Sequence, residues 1–164
     1  MEPSFKMTLE HKPEPLGRIV KMTIPKAGTS SQGKPMHYSV GAVIQRKGKY
    51  LLIDRVHIPL GFACPAGHID EGETPEQALV REVQEEIGLK VTSMKLVYQE
   101  EKDGNICGHG GKAHYWYLYE CEAVGKMQRN KHETKSIGWY TPAEIKKLTL
   151  EPVWKYWFTK LKII

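Results

Sequence analysis

The chain has 164 residues, with 24 lysines and arginines against 19 aspartates and glutamates, and a net charge of +5. A chain of this length can bury a sizeable core as one domain, and so small a basic excess does not indicate a dedicated nucleic-acid-binding protein. Three widely spaced cysteines argue against a disulfide framework, and no apolar run is long enough to span a membrane. We therefore expect a cytoplasmic protein without a membrane partner.

The first 35 residues are interrupted by prolines and are predicted to form an N-terminal extension, followed by one α/β domain over residues 36–164. Arg18 to Ile24 has weak strand character, whereas residues 28–35 have the composition of a flexible connection. The extension is therefore expected to be partly flexible or to contain one edge strand, which would also be compatible with a homodimer contact.

Two neighbouring strands are predicted next. Tyr38 to Gln45 and Tyr50 to Asp54 are apolar and rich in β-branched residues, and the residues between them favour a turn. The segment that follows is rich in proline and glycine and leads to Gly67.

A short helix with clear ends is predicted over residues 75–87. Thr74 is a suitable N-cap, Gln77 completes a capping box, and Gly88 supplies a left-handed stop. Apolar residues recur every four positions along one face: Leu79, Val83 and Ile87.

The other face of this helix carries three glutamates at i, i+3 and i+4: Glu82, Glu85 and Glu86. These carboxylates repel one another near the negative end of the helix dipole, so a cation would stabilise them. A set of oxygen ligands suits Mg²⁺ or Mn²⁺. The alternative interpretation is a solvated acidic surface.

The stretch from Gly67 to Leu89 resembles the signature box of the Nudix hydrolases at every fixed position. Gly67 is followed after five residues by Glu73 and, after seven more, by the run Arg81-Glu82-Val83-Gln84-Glu85-Glu86-Ile87-Gly88-Leu89. Chance coincidence at so many positions has a probability on the order of one in ten million. The resemblance extends from Met36 to Leu148. It implies an α/β/α sandwich around a mixed β-sheet, and hydrolysis of a nucleoside diphosphate linked to another group by attack of water on phosphorus.

The resemblance also implies roles for the residues of the box. Four of them match metal ligands: Glu82, Glu86, Glu85 and the backbone carbonyl of Gly67. Arg81 matches a catalytic-site residue that pairs with Glu73 and orients the acidic side chains. The general base is expected to be Glu85 or, from a later loop, Glu133. Weaker candidates for the base lie further along the chain: Glu100, Glu101 and Asp103.

Beyond the box, strands are predicted over residues 90–100, 113–124 and 137–141, and a short helix over residues 142–148. The loop 101–112 contains four glycines, so it is either a lid over the substrate or an ordinary hairpin tip. The C-terminal segment is an amphipathic helix with one apolar face: Trp154, Trp157, Phe158 and Leu161. Such a helix packs on a sheet or lies on a membrane surface, and packing is the commoner outcome.

Several aromatic rings are candidates for substrate contacts: Phe62, His68, Trp116 and Trp139. Aromatic residues at strand spacing more often belong to the core. A rival metal site would use a set with irregular spacing, which is a poor pattern for zinc: Cys107, His109, His114 and Cys121.

The resemblance also bears on the substrate, because some subfamilies carry a characteristic residue downstream of the box. No proline lies between Pro75 and Pro142, which disfavours the ADP-ribose pyrophosphatase pattern, and no tyrosine stands at 105–107, where hydrolases of dinucleoside polyphosphates carry one. The predicted substrate is therefore a (deoxy)nucleoside triphosphate or a modified nucleotide, with Mg²⁺ or Mn²⁺ as cofactor. The alternatives are a decapping-like enzyme acting on RNA 5′ ends, which the lysine-rich tails support only thinly, and a non-catalytic nucleotide sensor.

Overall fold

The computed structural model describes residues 23–164, so the strand predicted over residues 18–24 lies almost entirely outside the described part. That part contains eight strands: β1 (Ala27–Thr29), β2 (Pro35–Arg46), β3 (Lys49–Arg55), β4 (Phe62–Ala63), β5 (Ala66–His68), β6 (Lys90–Asp103), β7 (Ala113–Val124) and β8 (Thr134–Tyr140). It also contains three helices: α1 (Pro75–Ile87), α2 (Pro142–Ile145) and α3 (Pro152–Lys160).

Strand β2 is the centre of a mixed sheet. It pairs in parallel with β7 and antiparallel with β1, β3 and β5, while β6 extends the sheet beyond β7 and β8 pairs with β3. Its twelve residues allow different partners along its length, because each short neighbour covers only part of it. The parallel β2–β7 pair makes the sheet mixed, as the sequence predicts.

Helices cover both faces of the sheet. On one face, the Tyr119 hydroxyl donates to Glu76 of α1 at 2.7 Å. On the other face, α3 approaches β2 so closely that a side chain at Gly41 would collide with Trp154. The tryptophans and phenylalanine of α3 are fully buried, so the C-terminal helix packs on the sheet. In the described part of the chain, every helix is too short or too polar to cross a membrane.

Helix α1 has the ends that its sequence predicts. The Thr74 hydroxyl accepts from the Gln77 amide, and the Gln77 side chain accepts from the Thr74 amide, which completes the capping box. Gly88 ends the helix at φ 72°, in the left-handed region. The amides of Gln128 and Asn130 donate to the last carbonyls of α1, which otherwise lack partners. The loop after β7 is thereby fixed against the glutamate end of the helix.

Some boundaries differ from the sequence predictions. Strand β6 continues to Asp103, because Asp103 still pairs with Ala113 of β7, and β8 begins three residues early at Thr134. Helix α2 ends at Ile145, short of the predicted residue 148. Residues 28–35, predicted as a flexible connection, include the end of β1 and a turn in which the Ser30 hydroxyl accepts two backbone amides.

Candidate active site

The glutamates of α1 differ in their exposure. Glu86 is only 4% exposed and accepts a hydrogen bond from the Ala66 amide of β5 at 2.9 Å. The carboxyl group of Glu82 lies directly on the backbone of Gly67, also in β5. The Glu85 side chain is half exposed, at 52%. The Glu82 side chain is 12% exposed. The helix therefore presents one buried and one largely buried carboxylate to strand β5 and a third to solvent.

Replacement of Gly67 is expected to disrupt this contact. In Gly67→Ala the added methyl group would overlap the Glu82 carboxyl group, so that either the side chain or the strand must move. Overpacking of this kind costs about 1–3 kcal/mol, and we expect a loss of turnover of at least about tenfold. Thermal unfolding and nucleotide hydrolysis would measure both effects. Gly108→Ala is the matched control, because a methyl group there meets nothing within 4 Å. Equal behaviour of the two variants would contradict a tight Gly67–Glu82 contact.

Arg81 orients the acidic side chains. Its Nε and Nη2 atoms donate to the two oxygens of Glu73, each at 2.8 Å, in a bidentate pair. Its Nη2 atom also donates to the His68 carbonyl at 2.9 Å, and its Nη1 atom donates to Glu82 at 2.7 Å and Glu85 at 3.3 Å. One guanidinium group thus joins the loop that follows β5 to two of the three helix glutamates, as the resemblance implies for Arg81 and Glu73.

Burial disfavours the charged forms of the two inner glutamates. Desolvation raises the pKa of Glu82 to about 7, although the Arg81 cation opposes the shift. Desolvation and the neighbouring Glu82 charge raise the pKa of Glu86 well above its ordinary value. A divalent cation would reverse both effects, since it supplies the missing positive charge. The residues therefore fit a hard cation held by carboxylate and carbonyl oxygens.

Glu133 lies near this group, although it is distant in sequence. Its loop is the one fixed to the end of α1, and its negative charge contributes to the raised pKa values of Glu82 and Glu86. The Glu133 carboxylate accepts from the Asn130 side chain at 3.0 Å. This position agrees with that of an additional acid beside the box.

The three weaker candidates for the general base make hydrogen bonds or ion pairs with other residues. Glu100 pairs with Tyr156 and Lys160 of α3. Glu101 accepts from the backbone and hydroxyl of Ser31, and Asp103 forms an ion pair with Lys34 at 2.6 Å. These carboxylates fasten β6 to its neighbours, so the structure does not support them as general bases.

Two charged residues that the sequence does not single out line a cleft beside the glutamates. Arg55, at the end of β3, faces Glu151, with 3.6 Å between Nε and Oε2. Glu151 is 3% exposed, its Oε2 atom has no hydrogen-bond partner among residues 23–164, and burial raises its pKa to about 7. The cationic charge of Arg55 also acts on Glu86. The position of Arg55 directly after an apolar strand is the sequence feature that could have identified it.

The family model for the NUDIX domain matches residues 35–161. The chain belongs to the NUDIX family. It is 30% identical over 131 residues to a MutT-like protein from Streptomyces ambofaciens, covering 77% of each chain. It is 31% identical over 118 residues to a CTP pyrophosphohydrolase from Escherichia coli strain K12, covering 69% of this chain and 82% of that protein. A solved MutT NUDIX hydrolase from Burkholderia pseudomallei superposes with a TM-score of 0.65 at 23% identity, covering 74% and 94% of the two chains, which shows the fold alone.

This membership confirms the predicted family, fold and enzyme class: the protein is a Nudix-type hydrolase that acts on phosphoanhydride bonds. Nudix hydrolases generally use divalent metal ions, and members of the family that are similar to this chain act on small nucleotides.

The aromatic candidates have different surroundings in the Nudix domain. Phe62 packs edge-on against Tyr140 at 5.6 Å between ring centres, and Trp139 lies under the Arg46 guanidinium at 5.0 Å. Trp116 is 5% exposed and packs against two tryptophans of α3, while its indole nitrogen donates to Asn105. The ring of Trp116 therefore belongs to the core and offers no free face for stacking. It contributes to the wall of the cleft.

The Nudix box also contributes His68 to a cluster of histidines. Cys107 and His114, both from the rival metal set, lie together with His68 and with His37, which the sequence did not single out. His109 only packs its ring against His68, and Cys121 lies elsewhere on β7, where its thiol contacts the Tyr119 carbonyl. The rival set is thus corrected to His37, His68, Cys107 and His114. Three adjacent strands and one loop bring these residues together, so their spacing in the sequence is irregular.

Proposed function

We propose that the protein hydrolyses a (deoxy)nucleoside triphosphate or a modified nucleotide to a monophosphate and pyrophosphate, by attack of water on phosphorus. The observation that carries this proposal is the pair of carboxylates, largely buried Glu82 and fully buried Glu86, held against the backbone of Ala66 and Gly67. Two ionised carboxylates that lie side by side away from water cost free energy unless a cation binds between them.

The proposed ligands of that cation are Glu82, Glu86, Glu85 and the carbonyl oxygen of Gly67, with Mg²⁺ preferred and Mn²⁺ as the alternative. When bound, such a cation lowers the pKa of a water molecule and neutralises charge on phosphate oxygens. Arg81 holds Glu82 and Glu85 in position through its Nη1 atom, and Glu73 holds Arg81 in turn. Loss of the carboxylates would therefore remove charge, and loss of Arg81 would remove their orientation.

We assign the general base to Glu133. It lies beside Glu82 and Glu86, and its side-chain contact is with the neutral amide of Asn130, whereas Glu85 is paired with the Arg81 cation, which makes a carboxylate a weaker base. Arg55 is proposed as a substrate contact, since it is a cation on the wall of the cleft and could pair with a phosphate group.

The choice of substrate has two supports. The first is the absence of the proline and tyrosine markers of the other subfamilies. The second is the relative named CTP pyrophosphohydrolase, because the match covers most of both chains. A larger cavity of about 460 Å³ is lined by β2, β3, β6, β7 and residues 161 and 163, and contains no residue of the box, so we do not assign the substrate to it.

A panel of nucleotides assayed with Mg²⁺ and with Mn²⁺ tests the proposal. The panel contains the eight standard nucleoside triphosphates, oxidised purine nucleotides, ADP-ribose, a dinucleoside polyphosphate and an RNA with a 5′-triphosphate. Reaction in ¹⁸O-labelled water identifies the phosphorus that is attacked, because the label appears in that product. We expect a triphosphate to give labelled monophosphate or pyrophosphate. Preference for RNA would support the decapping-like alternative, and hydrolysis of no compound would support the sensor.

A further inference from the structure

Three histidines meet on one face of the sheet because of strand register. His37 of β2 is the direct partner of His114 in the parallel strand β7. His68 of β5 is opposite Ser39, which is two positions from His37 and therefore on the same face of β2. The three imidazoles are thus held by three adjacent strands, with ring centres between 5.3 and 5.9 Å apart.

A thiol completes the group from the loop between β6 and β7. Cys107 lies in a turn closed by hydrogen bonds with Gly110 and Gly111, and its Sγ atom is 3.4 Å from Nδ1 of His37. A Cβ atom at Gly111 would lie 2.9 Å from Nδ1 of His37 and 3.1 Å from Sγ of Cys107, so the glycine leaves room for this approach. Each of the four residues offers one ligand atom, and these atoms all lie within 4.8 Å of one another.

A hydrogen bond prepares His114 for a metal ion. Nδ1 of His114 is 2.6 Å from the Asn105 carbonyl and must donate to it, which leaves Nε2 of His114 as a bare acceptor. That Nε2 atom is 3.3 Å from Nε2 of His68. Metal-bound histidines usually donate their other ring nitrogen to a backbone carbonyl or carboxylate in this way. The tautomer of His114 is therefore the one that a metal ion requires.

The ligand atoms are close to the spacing of tetrahedral zinc. Ligands about 2.0–2.3 Å from Zn²⁺ at the tetrahedral angle lie roughly 3.3–3.6 Å apart. Two pairs of the cluster, at 3.3 and 3.4 Å, already have this spacing, and the remaining pairs, all within 4.8 Å, would draw closer on binding an ion. Imidazole and thiolate ligands suit Zn²⁺, whereas Mg²⁺ prefers the carboxylates of the box. The two sets of ligands would therefore select different ions, Zn²⁺ at the histidine cluster and Mg²⁺ at the glutamates of the box.

We propose that His37, His68, Cys107 and His114 bind one Zn²⁺ ion, which fastens the loop 104–112 to strands β2, β5 and β7. Four protein ligands fill a tetrahedral zinc site, so the ion would be structural. The loop contributes Asn105, Ile106 and Cys107 to the wall of the cleft, so the ion would also fix that wall in place.

Metal content and cobalt spectroscopy on the full chain, purified without a polyhistidine tag, test the proposal. We expect one equivalent of Zn²⁺ per chain after dialysis, and with Co²⁺ the absorption of a tetrahedral thiolate complex. Cys107→Ser should remove the thiolate-to-cobalt band, and His37→Gln should weaken Zn²⁺ binding by at least about 100-fold. Cys121→Ser is the matched cysteine control and should keep the band. Hydrogen exchange in residues 104–112 should slow when Zn²⁺ is added.

The glutamates of the Nudix box provide the second control. The double variant Glu82→Gln, Glu86→Gln should retain the cobalt spectrum, because neither side chain belongs to the cluster. The proposal is overturned by the absence of a stoichiometric ion, by a thiolate band that survives Cys107→Ser, or by loss of the spectrum in the double glutamate variant. These measurements do not depend on hydrolysis, so failure of the proposed substrate would leave their result unaffected.

Discussion

Glu86→Gln is expected to lower kcat for nucleotide hydrolysis by at least about 1000-fold, because a metal ion supplies several kcal/mol of charge stabilisation and the amide would bind it poorly. The side-chain oxygen of glutamine can still accept the Ala66 amide, so the fold should persist. Steady-state kinetics with saturating Mg²⁺ would measure the loss, and circular dichroism would report the fold.

Glu120→Gln is the matched control for this substitution. Glu120 is an exposed residue of β7 outside the glutamate group, so its variant should keep the kcat of the wild type. If Glu86→Gln retained more than about a tenth of the wild-type kcat, Glu86 would not be a principal ligand of the catalytic cation. The proposed site would then have to be rebuilt around Glu82 and Glu85.

Local sequence determines the parts of this fold that could be predicted. The ends of α1 follow from contacts within four residues, such as the Thr74–Gln77 box and the Gly88 stop, and the structure confirms them. Strand β7 was predicted to the residue because its twelve residues are rich in aromatic and apolar side chains and lie between Gly111 and Gly125. Strands β4 and β5, with two and three residues, were not predicted, because pairing with β3 and β2 defines them and their own sequence does not.

The site was predictable only where its residues share an element or a motif. Glu82, Glu85 and Glu86 lie on one helix, so their spacing alone indicates a common face. The contact between Arg55 and Glu151 joins residues that are far apart in sequence, through the packing of α3 beside β3 and β4. The histidine cluster depends on strand register, and a register shift of one residue would turn each side chain to the opposite face.

The second large effect concerns stability without metal. Above pH 6.5, the metal-free protein is expected to lose free energy of unfolding as the pH rises. The pKa of Glu82 is about 7 in the folded protein and 4.5 in the unfolded chain, so the folded state holds more protons and stability falls with pH. Glu82 alone accounts for roughly 1 kcal/mol between pH 6.5 and 8. Glu86 acts in the same direction.

The buried histidines act against this loss. Burial lowers the pKa of His68 to about 3 and that of His114 to about 4, so their titration makes the folded state more stable as the pH rises toward 6.5. At pH 6.5 the unfolded histidines are about half protonated, so His68 and His114 each add roughly 0.4 kcal/mol of stability between pH 6.5 and pH 8. This gain is smaller than the loss expected from Glu82 and Glu86 together, so urea unfolding with a chelator at the two pH values should show a net fall in stability.

Mg²⁺ should reverse the loss, because it competes with protons for the same oxygens and binds the folded state alone. At a hundred times its dissociation constant it adds about 3 kcal/mol. Glu82→Gln should flatten the slope above pH 6.5 and also remove most of the response to Mg²⁺.

Glu151→Gln separates the effect of burying an acid on stability from the effect of binding Mg²⁺. The pKa of Glu151 is also about 7, and its carboxylate is buried beside Arg55, but it is not a proposed ligand. Its variant should flatten the slope to a similar extent and keep the full response to Mg²⁺. Loss of that response in Glu151→Gln, or its survival in Glu82→Gln, would show that the cation binds elsewhere in the cleft. Both acids have a pKa raised by burial, so the response to Mg²⁺, and not the pH dependence, is the measurement that distinguishes a ligand of the cation from an acid that is only buried.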